Sequence, residues 1–368
     1  MKEQKFSIAH IDPLGQGVSK IDDQIIFIPK TLPNESGTCE ILRTKKKVAF
    51  AKVAKIDEHS PLRQKSDCPV FENCPGCHYL HTGYNNEVLF KKNALLRHFI
   101  PLSRELKVDD IIFIEAAERY HYRNRIQLHY DLEADTLGYL NVMEESVVSA
   151  KDCLLPTKAI EVELKNLYQN WKSIIPKDAK TEGHIELYER NGKVSISFNK
   201  PYAEGGFTQV NQEMNEKMIE LVKEMLATRS GAALDLFGGS GNLTAQSPHL
   251  ETLVVDATEE KHIKTKEHQT YKRINLYGKN APKQVSSLVT KKPDVVIFDP
   301  PRSGVKNIKD FVNELKGPEF IIYIGCECPN LVRDLVTITD QYALDKIYIV
   351  DLFPGTRHFE TIVTLKRL

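Results

Sequence analysis

Two short apolar runs in this chain close on reactive residues. Val295–Phe298 ends in Asp299-Pro300-Pro301-Arg302, and the run at 321–324 ends in Gly325-Cys326-Glu327-Cys328. Runs of this length bounded by turn residues predict fully buried parallel strands. In an open α/β sheet ligands bind beyond the carboxyl ends of such strands, so the pattern sets an Asp-Pro-Pro-Arg loop and a cysteine loop on one rim. Upstream, a strand at 232–237 carries Asp235, and the tight turn Gly238-Gly239-Ser240-Gly241-Asn242 is expected to open a helix. A second strand at 253–255 ends at Asp256. This reads as a βαβ unit with a glycine-rich first turn. Just before it, Met214, Met218, Leu221, Val222 and Met225 recur at three- and four-residue steps, which predicts a helix whose methionine stripe is core.

The rest of the chain is patterned differently. Residues 1–57 alternate as short strands punctuated by Gly and Pro (FSIAHID, GQGVSK, QIIFIPK, TCEIL), which suits a small barrel. Positions 81–100 contain Val88, Leu89, Leu95, Leu96 and Phe99 at helical spacing. Tyr120-His121-Tyr122-Arg123-Asn124-Arg125 then interleaves aromatic and basic residues at the start of a strand. Such a segment either stacks bases and binds phosphate or forms an ordinary edge strand. Residues 126–205 read as scaffold strands with one helix at 160–174.

Composition narrows the class. The 368 residues predict two or three domains. Fifty basic and fifty acidic residues cancel, so any grip on nucleic acid is a local patch. One candidate runs from 43 to 65, where Arg43, Lys45, Lys46, Lys47, Lys52, Lys55, Arg63 and Lys65 face only Asp57 and Glu58. It is either a solvated strand face or a phosphate-tracking face of an OB-like barrel. No apolar run approaches 18 residues, so no membrane span is expected. MKEQKFSIAH lacks the apolar core of a secretion signal. With clustered rather than paired cysteines, this predicts a reducing cytoplasm, and a monomer is expected.

Of the seven cysteines, Cys68, Cys74, Cys77 and the distant Cys153 make a set of four soft ligands. Four thiolates suit a [4Fe–4S] cluster or a structural zinc ion. Zinc sites usually pair two short Cys hooks, whereas a five-residue gap and a lone remote ligand suit a cuboidal cluster better.

The glycine turn lacks the full GxGxxG spacing that cradles a pyrophosphate. Together with Asp256 and an Asp-Pro-Pro strand end, it points to S-adenosylmethionine rather than NAD. Enzymes that methylate exocyclic amines generally follow Asp-Pro-Pro with an aromatic residue, whereas here Arg302 follows and a cysteine loop ends the next strand. That pairing suits methylation of pyrimidine C5, where a thiolate adding to C6 makes C5 nucleophilic. The thiolate needs a nearby cation, with Arg302 or Arg333 the candidates. A base must then remove the C5 proton, and the tail DLFPGTRHFE offers Glu360.

DLFGGSGN, IFDPPRSG, IGCECPNLVRDL and DLFPGTRHFE, in this order, resemble the RNA uracil-C5 methyltransferase family. The GxGV…FIPKTLPNE…KKK start resembles a TRAM domain, and the four cysteines resemble the family's iron–sulfur branch, which acts on 23S rRNA or, in some members, tRNA. The resemblance implies Cys326 as nucleophile and Glu360 as base. It implies S-adenosylmethionine contacts from Gln209, Phe237, Asn242, Asp256 and Asp299, and a [4Fe–4S] cluster on Cys68, Cys74, Cys77 and Cys153. The fold it implies is α/β: a Rossmann-like methyltransferase domain (82–118 and 206–368), an N-terminal OB-like TRAM barrel (1–57), and a small α+β iron–sulfur central domain (58–81 and 119–205). RNA is the expected partner, rRNA ahead of tRNA. Two departures stand out. Glu327 and Cys328 replace the family's usual Asn-Pro after the nucleophile, making Cys328 a rival, and Gly238 stands where the family often has Cys. Asn280 is a further candidate donor contact. Amino-group methylation, or a non-catalytic RNA-binding relative, are the competing readings.

Overall fold

The computed structural model describes residues 3–201, 208–259 and 263–368. They divide into two compact units. The first comprises Met1–Ala94, Ala116–Glu213 and Phe353–Arg357, and the second Leu95–Glu115, Met214–Leu352 and His358–Leu368. The domain boundary expected at 205/206 lies outside the described residues. The N-terminal strands and all four clustered cysteines fall in the first unit, and of segment 82–118 the part Leu95–Glu115 belongs to the second.

In the first unit, alternating apolar residues build a six-stranded sheet from β1 (Glu3–Ser7), β2 (His10–Ile11), β3 (Gln16–Ile21), β4 (Gln24–Pro29), β5 (Ser36–Lys45) and β6 (Val48–Glu58). Their order is β1-β5-β6-β4-β3-β2, antiparallel except for β4 beside β6. One side gathers Phe6, Ile8, Ile26, Ile28, Cys39, Ala49 and Ala51 into a small core, which accounts for Cys39. The chain continues through α1 (Tyr84–Phe99) and a strand of the second unit, β7 (Ile111–Ile114). It then forms a second, wholly antiparallel sheet from β8 (Arg125–Asp131), β9 (Thr136–Asn141), β10 (Ser146–Val148), β11 (Glu182–Arg190) and β12 (Lys193–Phe198), in the order β10-β9-β8-β11-β12. Helix α2 (Lys158–Ile174), capped by Thr157, buries Ile160, Leu164, Leu167 and Trp171, residues spaced to lie on one helical face.

The basic stretch is less open than its sequence suggests. Lys47 pairs with Asp23, Lys52 with Glu40 and Glu144, Lys55 with Asp57, and Arg63 with the buried Glu35. Arg43, Lys45, Lys46 and Lys65 form no ion pair among the described residues.

The second unit is an eight-stranded sheet. After α3 (Gln212–Leu226), which buries Met214, Met218, Val222 and Leu226, come β13 (Ala232–Leu236), β14 (Glu251–Asp256), β15 (Gln269–Arg273), α4 (Ala281–Leu288), β16 (Val295–Phe298), α5 (Ile308–Glu314), β17 (Phe320–Gly325), α6 (Cys328–Val336), β18 (Tyr342–Val350) and β19 (Glu360–Arg367). The order is β15-β14-β13-β16-β17-β19-β18-β7. The first five are parallel, and β19 runs antiparallel to both its neighbours. Strand order reverses between β13 and β16, which opens a crevice at their carboxyl ends. The apolar runs at 295–298 and 320–325 are fully buried, as their lack of alternation requires. The helix expected after the glycine turn does not form. Thr244, Ser247 and Leu250 instead make successive three-residue turn bonds to Gly241, Thr244 and Ser247. Pro248 and the short span to β14 leave little room for helix. Among the described residues no helix is long and apolar enough to cross a membrane.

The segment Phe353–Arg357, just ahead of β19 in the chain, is anchored within the first unit by buried charge. Glu87 on α1 accepts from Lys91 at 2.7 Å, Arg119 at 2.6 Å and the Gly355 N–H at 2.7 Å. Lys91 also reaches the Phe353 carbonyl at 3.3 Å. Removing one partner of such a cluster strands the others, at a cost of about 3–5 kcal/mol. Glu87→Ala is therefore expected to lower the urea midpoint of the first unit by that order, whereas Glu87→Leu combined with Lys91→Met restores part of the loss. Equal midpoints for Glu87→Ala and wild type would refute the assignment.

Candidate active site

The rim at the carboxyl ends of the parallel strands collects most of the residues singled out above. After β13, Phe237 adopts φ 61° and its N–H donates to the Val255 carbonyl at 2.9 Å. Asp235 is buried inside β13, and its Oδ2 accepts from Thr244 Oγ1 at 3.1 Å. Burial, offset by that bond and reinforced by Asp256, pushes its carboxyl up to about 7. A Cβ on Gly238 would lie 2.6 Å from the Asp235 carboxyl carbon, so glycine at this departure from the family pattern makes room for the buried acid. Asp256 at the end of β14 binds the loop back. Its Oδ2 accepts the Gly239 N–H at 3.1 Å, and its Oδ1 accepts both the N–H and the hydroxyl of Thr258 at 2.8 and 2.7 Å. A carboxylate oxygen accepts about two hydrogen bonds, so Oδ2 keeps capacity for one more donor. Asn242 is exposed in the turn beyond. Asn280 occupies the N-cap of α4 without a side-chain capping bond. Gln209 belongs to the first unit, where its carbonyl accepts from Asn124 Nδ2 at 3.1 Å.

The second cluster is built by strand register. Gly325 of β17 is paired with Thr361 of β19. The next antiparallel position therefore sets Cys326 opposite Glu360. Burial pushes the Cys326 thiol up to about 12, with Glu360 and Glu327 adding to the shift and Arg302 opposing it. The buried Glu360 carboxyl is pushed up to about 8 by burial, then by Asp299, with Arg302 opposing and Glu327 adding. Asp299 rises to about 7 through burial and the neighbouring Asp235 and Asp256. Cys326, Glu360, Asp299, Arg302 and Glu327 thus form one electrostatic group. Cys326 lines a small cleft with Pro300, Pro301, Arg302 and Glu327. Cys328, in the first turn of α6, is buried with its thiol toward the Thr361 hydroxyl. Of the two thiols Cys326 alone opens on the cleft.

Arg333, expected as a cation for the thiolate, is engaged elsewhere. It donates to Asp334 Oδ1 at 2.8 and 2.6 Å, to Asn330 Oδ1 at 2.8 Å and to the Ser303 carbonyl at 2.8 Å. Asp334 Oδ2 accepts the Tyr323 hydroxyl at 2.7 Å and the Val305 N–H. Asn330 Nδ2 reaches the Arg302 carbonyl at 2.7 Å. These bonds latch the loop after β16 onto α6. Gly304, at φ +71° with a would-be Cβ 2.3 Å from Asp334 Oδ2, is the residue that lets it close. Arg302 is left as the cation facing the thiol. One residue of this rim that its sequence did not signal is Tyr277, an aromatic in a polar loop. Its ring centroid is 5.4 Å from that of Phe237, and its hydroxyl is 2.7 Å from Ser303 Oγ.

In the first unit, Cys68, Cys74, Cys77 and Cys153 line one cavity of about 320 Å³. Among the described residues no three or more His, Cys, Asp or Glu side chains are gathered so as to hold a metal ion. Arg123 also lines the cavity, and Lys30 Nζ donates to the carbonyls of Phe71 and, at 2.6 Å, Cys74. The aromatic–basic segment, read as either a base-stacking element or an edge strand, is occupied internally. Tyr122 is buried and donates to the Pro354 carbonyl at 3.0 Å, and Arg125 lies 4.0 Å from the Tyr188 ring centroid.

The family described as tRNA (uracil-5-)-methyltransferase matches residues 158–261 and 284–368. An uncharacterised RNA methyltransferase of Bdellovibrio bacteriovorus is 27% identical over 376 residues, covering 98% of this chain and 94% of its own. The 23S rRNA (uracil(1939)-C(5))-methyltransferase RlmD of Photobacterium profundum is 26% identical over 98% of this chain and 93% of its own. A solved structure, the tRNA (uracil-54, C5)-methyltransferase of Pyrococcus abyssi in complex with S-adenosyl-L-homocysteine, aligns with a TM-score of 0.72. It covers 98% of this chain and 99% of that one at 19% identity, which shows a shared fold.

The raised carboxyl groups give stability a definite pH dependence. The folded second unit holds Glu360 protonated to about pH 8, whereas its ordinary value is 4.5. The folded state therefore binds the extra proton, and its contribution to stability is full below the ordinary value and lost as pH rises toward 8. Glu360→Gln removes this dependence and is expected to stabilise the second unit relative to wild type at pH 9, by on the order of 3 kcal/mol, with little difference at pH 5. Urea titrations at the two pH values decide it. Parallel pH profiles for the two proteins would refute the burial of a charge-averse Glu360.

Proposed function

This chain belongs to the tRNA (uracil-5-)-methyltransferase family, and we propose that it methylates C5 of a uridine in RNA, 23S rRNA ahead of tRNA, through a covalent intermediate on Cys326. The observation that carries the reading is the register of β17 and β19, which sets a thiol and a buried carboxyl with a raised pKa opposite each other at the rim. The rRNA preference rests on the RlmD relatives, which align along nearly their whole length.

S-adenosylmethionine, when bound, supplies an electrophilic methyl group. Phe237, Asn242, Asp256 and Asp299 are the residues of the second unit read as its contacts. The remaining acceptor on Asp256 Oδ2 suits a ribose hydroxyl, and a contact from Gln209 rests on the resemblance alone. Cys326 Sγ adds to C6 of the uracil, and its proton leaves to solvent as the C6–S bond forms. Arg302 favours the anionic sulfur in that step. The electron pair displaced from the C5–C6 bond makes C5 the nucleophile toward the methyl group. Glu360 then takes the proton from C5, the C5–C6 double bond re-forms, and Cys326 leaves. A carboxyl at about 8 is a stronger base than an ordinary one, at the cost of being half protonated near that pH. Phosphate contacts fall to Arg43, Lys45 and Lys46 at the β5–β6 hairpin of the TRAM-like sheet and to Lys65 in the loop after it.

Cys68, Cys74, Cys77 and Cys153 are read as ligands of a [4Fe–4S] cluster. Support comes from the shared cavity, which Arg123 also lines, and from Lys30 beside it, whose Nζ donates to the Cys74 carbonyl. Their positive charge suits an anionic thiolate–cluster unit. Held by these four thiolates, a cluster would join the Cys68–Cys77 loop to the turn at Cys153.

Mass spectrometry of rRNA and tRNA from cells with and without this gene should show loss of one 5-methyluridine from 23S rRNA. Unchanged modification in both RNAs would exclude the activity. With purified protein, Cys326→Ala is expected to abolish turnover and Cys328→Ala to retain it. Glu360→Gln should accumulate an RNA–protein adduct on denaturing gels, and an active Cys326→Ala would remove the covalent route. Anaerobic purification should yield about four irons and four sulfides per chain, lost in Cys153→Ser. A colourless protein with one zinc would overturn the cluster reading.

A further inference from the structure

Tyr277 sits in the loop after β15, 50% exposed, beside the buried Leu276. A large aromatic ring left half in water is unusual enough to ask what covers it. It is held in place from two sides. Its ring lies against Phe237 at 5.4 Å with the planes inclined by 52°, and its hydroxyl is 2.7 Å from Ser303 Oγ. Phe237 is itself held in a conformation that a bulky residue seldom adopts, φ 61°, by the N–H bond to Val255. Phe237 follows β13, Asp256 ends β14 and Tyr277 follows β15, so the three occupy neighbouring strand ends along one rim. Two aromatic faces beside a carboxylate with one free acceptor make a seat for a nucleoside, ring on ring and ribose on Asp256.

The nucleoside this seat takes is the donor's adenosine rather than the target uridine. Phe237 and Asp256, the other members of the seat, follow β13 and end β14, two and three strand positions from β17, whereas the uracil must lie against Cys326 and Glu360 on the β17–β19 side.

Ser303 links this seat to the nucleophile. Its hydroxyl meets Tyr277, and its carbonyl accepts from Arg333 Nη2 at 2.8 Å. Arg333 is bound in turn to Asp334 and Asn330 of α6, the helix that begins two residues after Cys326. We infer that Tyr277 closes the donor site over the adenosine of S-adenosylmethionine and, through Ser303, ties occupancy of that site to the loop and helix that hold Cys326. Tyr277 is then a donor-binding residue and Ser303 a positioning residue. The inference rests on the methyltransferase reading given above.

The test separates binding from coupling. Isothermal titration with S-adenosylhomocysteine, without RNA, should show Tyr277→Ala weakened about tenfold or more, the scale of one lost base–aromatic stack. Tyr277→Phe keeps the ring and should bind within about twofold of wild type. Single-turnover formation of the RNA adduct should nonetheless slow several-fold in Tyr277→Phe at saturating donor. Ser303→Ala should slow it equally, and the double variant no further, because both remove one link. Unchanged thermal midpoints for Tyr277→Phe are expected. A Tyr277→Ala protein with wild-type affinity overturns the donor-site assignment, and additive effects of the two loop variants overturn the coupling, in each case leaving the methylation itself standing. A wild-type protein that binds S-adenosylhomocysteine but methylates no uridine removes the proposed activity, while a weakened Tyr277→Ala would still support the adenosine seat.

Discussion

The antiparallel insertion of β19 between β17 and β18 is the constraint on which the active rim depends. A parallel sheet presents only strand ends at that rim, so every residue there must follow a strand. An antiparallel strand begins there instead. With Gly325 paired to Thr361, the first residue of β19 stands opposite the first residue after β17. Had β19 run parallel, Glu360 would start at the far edge of a six-residue strand, about 20 Å from the thiol. The cross-strand pair of a thiol and a carboxyl is a product of strand direction first and of loop geometry second.

The loop after β16 shows how the same rim is kept rigid. Asp334 is buried and fully engaged by Arg333, Tyr323 and the Val305 N–H. Its partners span β17, α6 and the Asp-Pro-Pro-Arg loop, so one carboxylate fixes three elements. Gly304 is required because any side chain would enter the space this carboxylate fills. Arg302, which the thiol needs, is thereby presented by a loop whose backbone carbonyl is itself held by Asn330.

Much of this was legible in the chain before its fold was known, because buried parallel strands leave an unbroken apolar run and the reactive residues sit immediately after each run. Asp256, Asp299 and Cys326 each follow such a run, whereas Glu360 begins a strand and was singled out by the need for a base and by the family resemblance. What failed to show depends on partners distant in sequence. Arg333 looked free to serve the thiolate because its neighbour Asp334 and the Ser303 carbonyl could not be foreseen to claim it. The basic stretch at 43–65 looked open because Glu35, Asp23, Glu40 and Glu144 reach it only in the folded sheet. The turns after Gly241 replaced a helix because the crossover is short. Tyr277 carried no periodic or motif signal at all, and only its approach to Phe237 and Ser303 gives it meaning.

The electrostatics around Cys326 run against the ionised sulfur that the proposed covalent route uses, and on that reading the opposition has a physical rationale. Burial, Glu360 and Glu327 all push the thiol up, to about 12, against Arg302 and a backbone hydrogen bond that pull it down. A resting thiolate beside a bound sulfonium would be open to methylation by its own donor, and an exposed one to oxidation. Keeping the sulfur protonated avoids both. In the proposed route the free energy needed to ionise it is supplied only as the C6–S bond forms and charge passes from sulfur into the uracil ring, away from the two carboxyls that oppose it. Glu327, where relatives of this type carry an uncharged residue, strengthens that safeguard. On the proposed route it opposes the attacking thiolate as well, so the same carboxylate that guards the resting sulfur works against its addition.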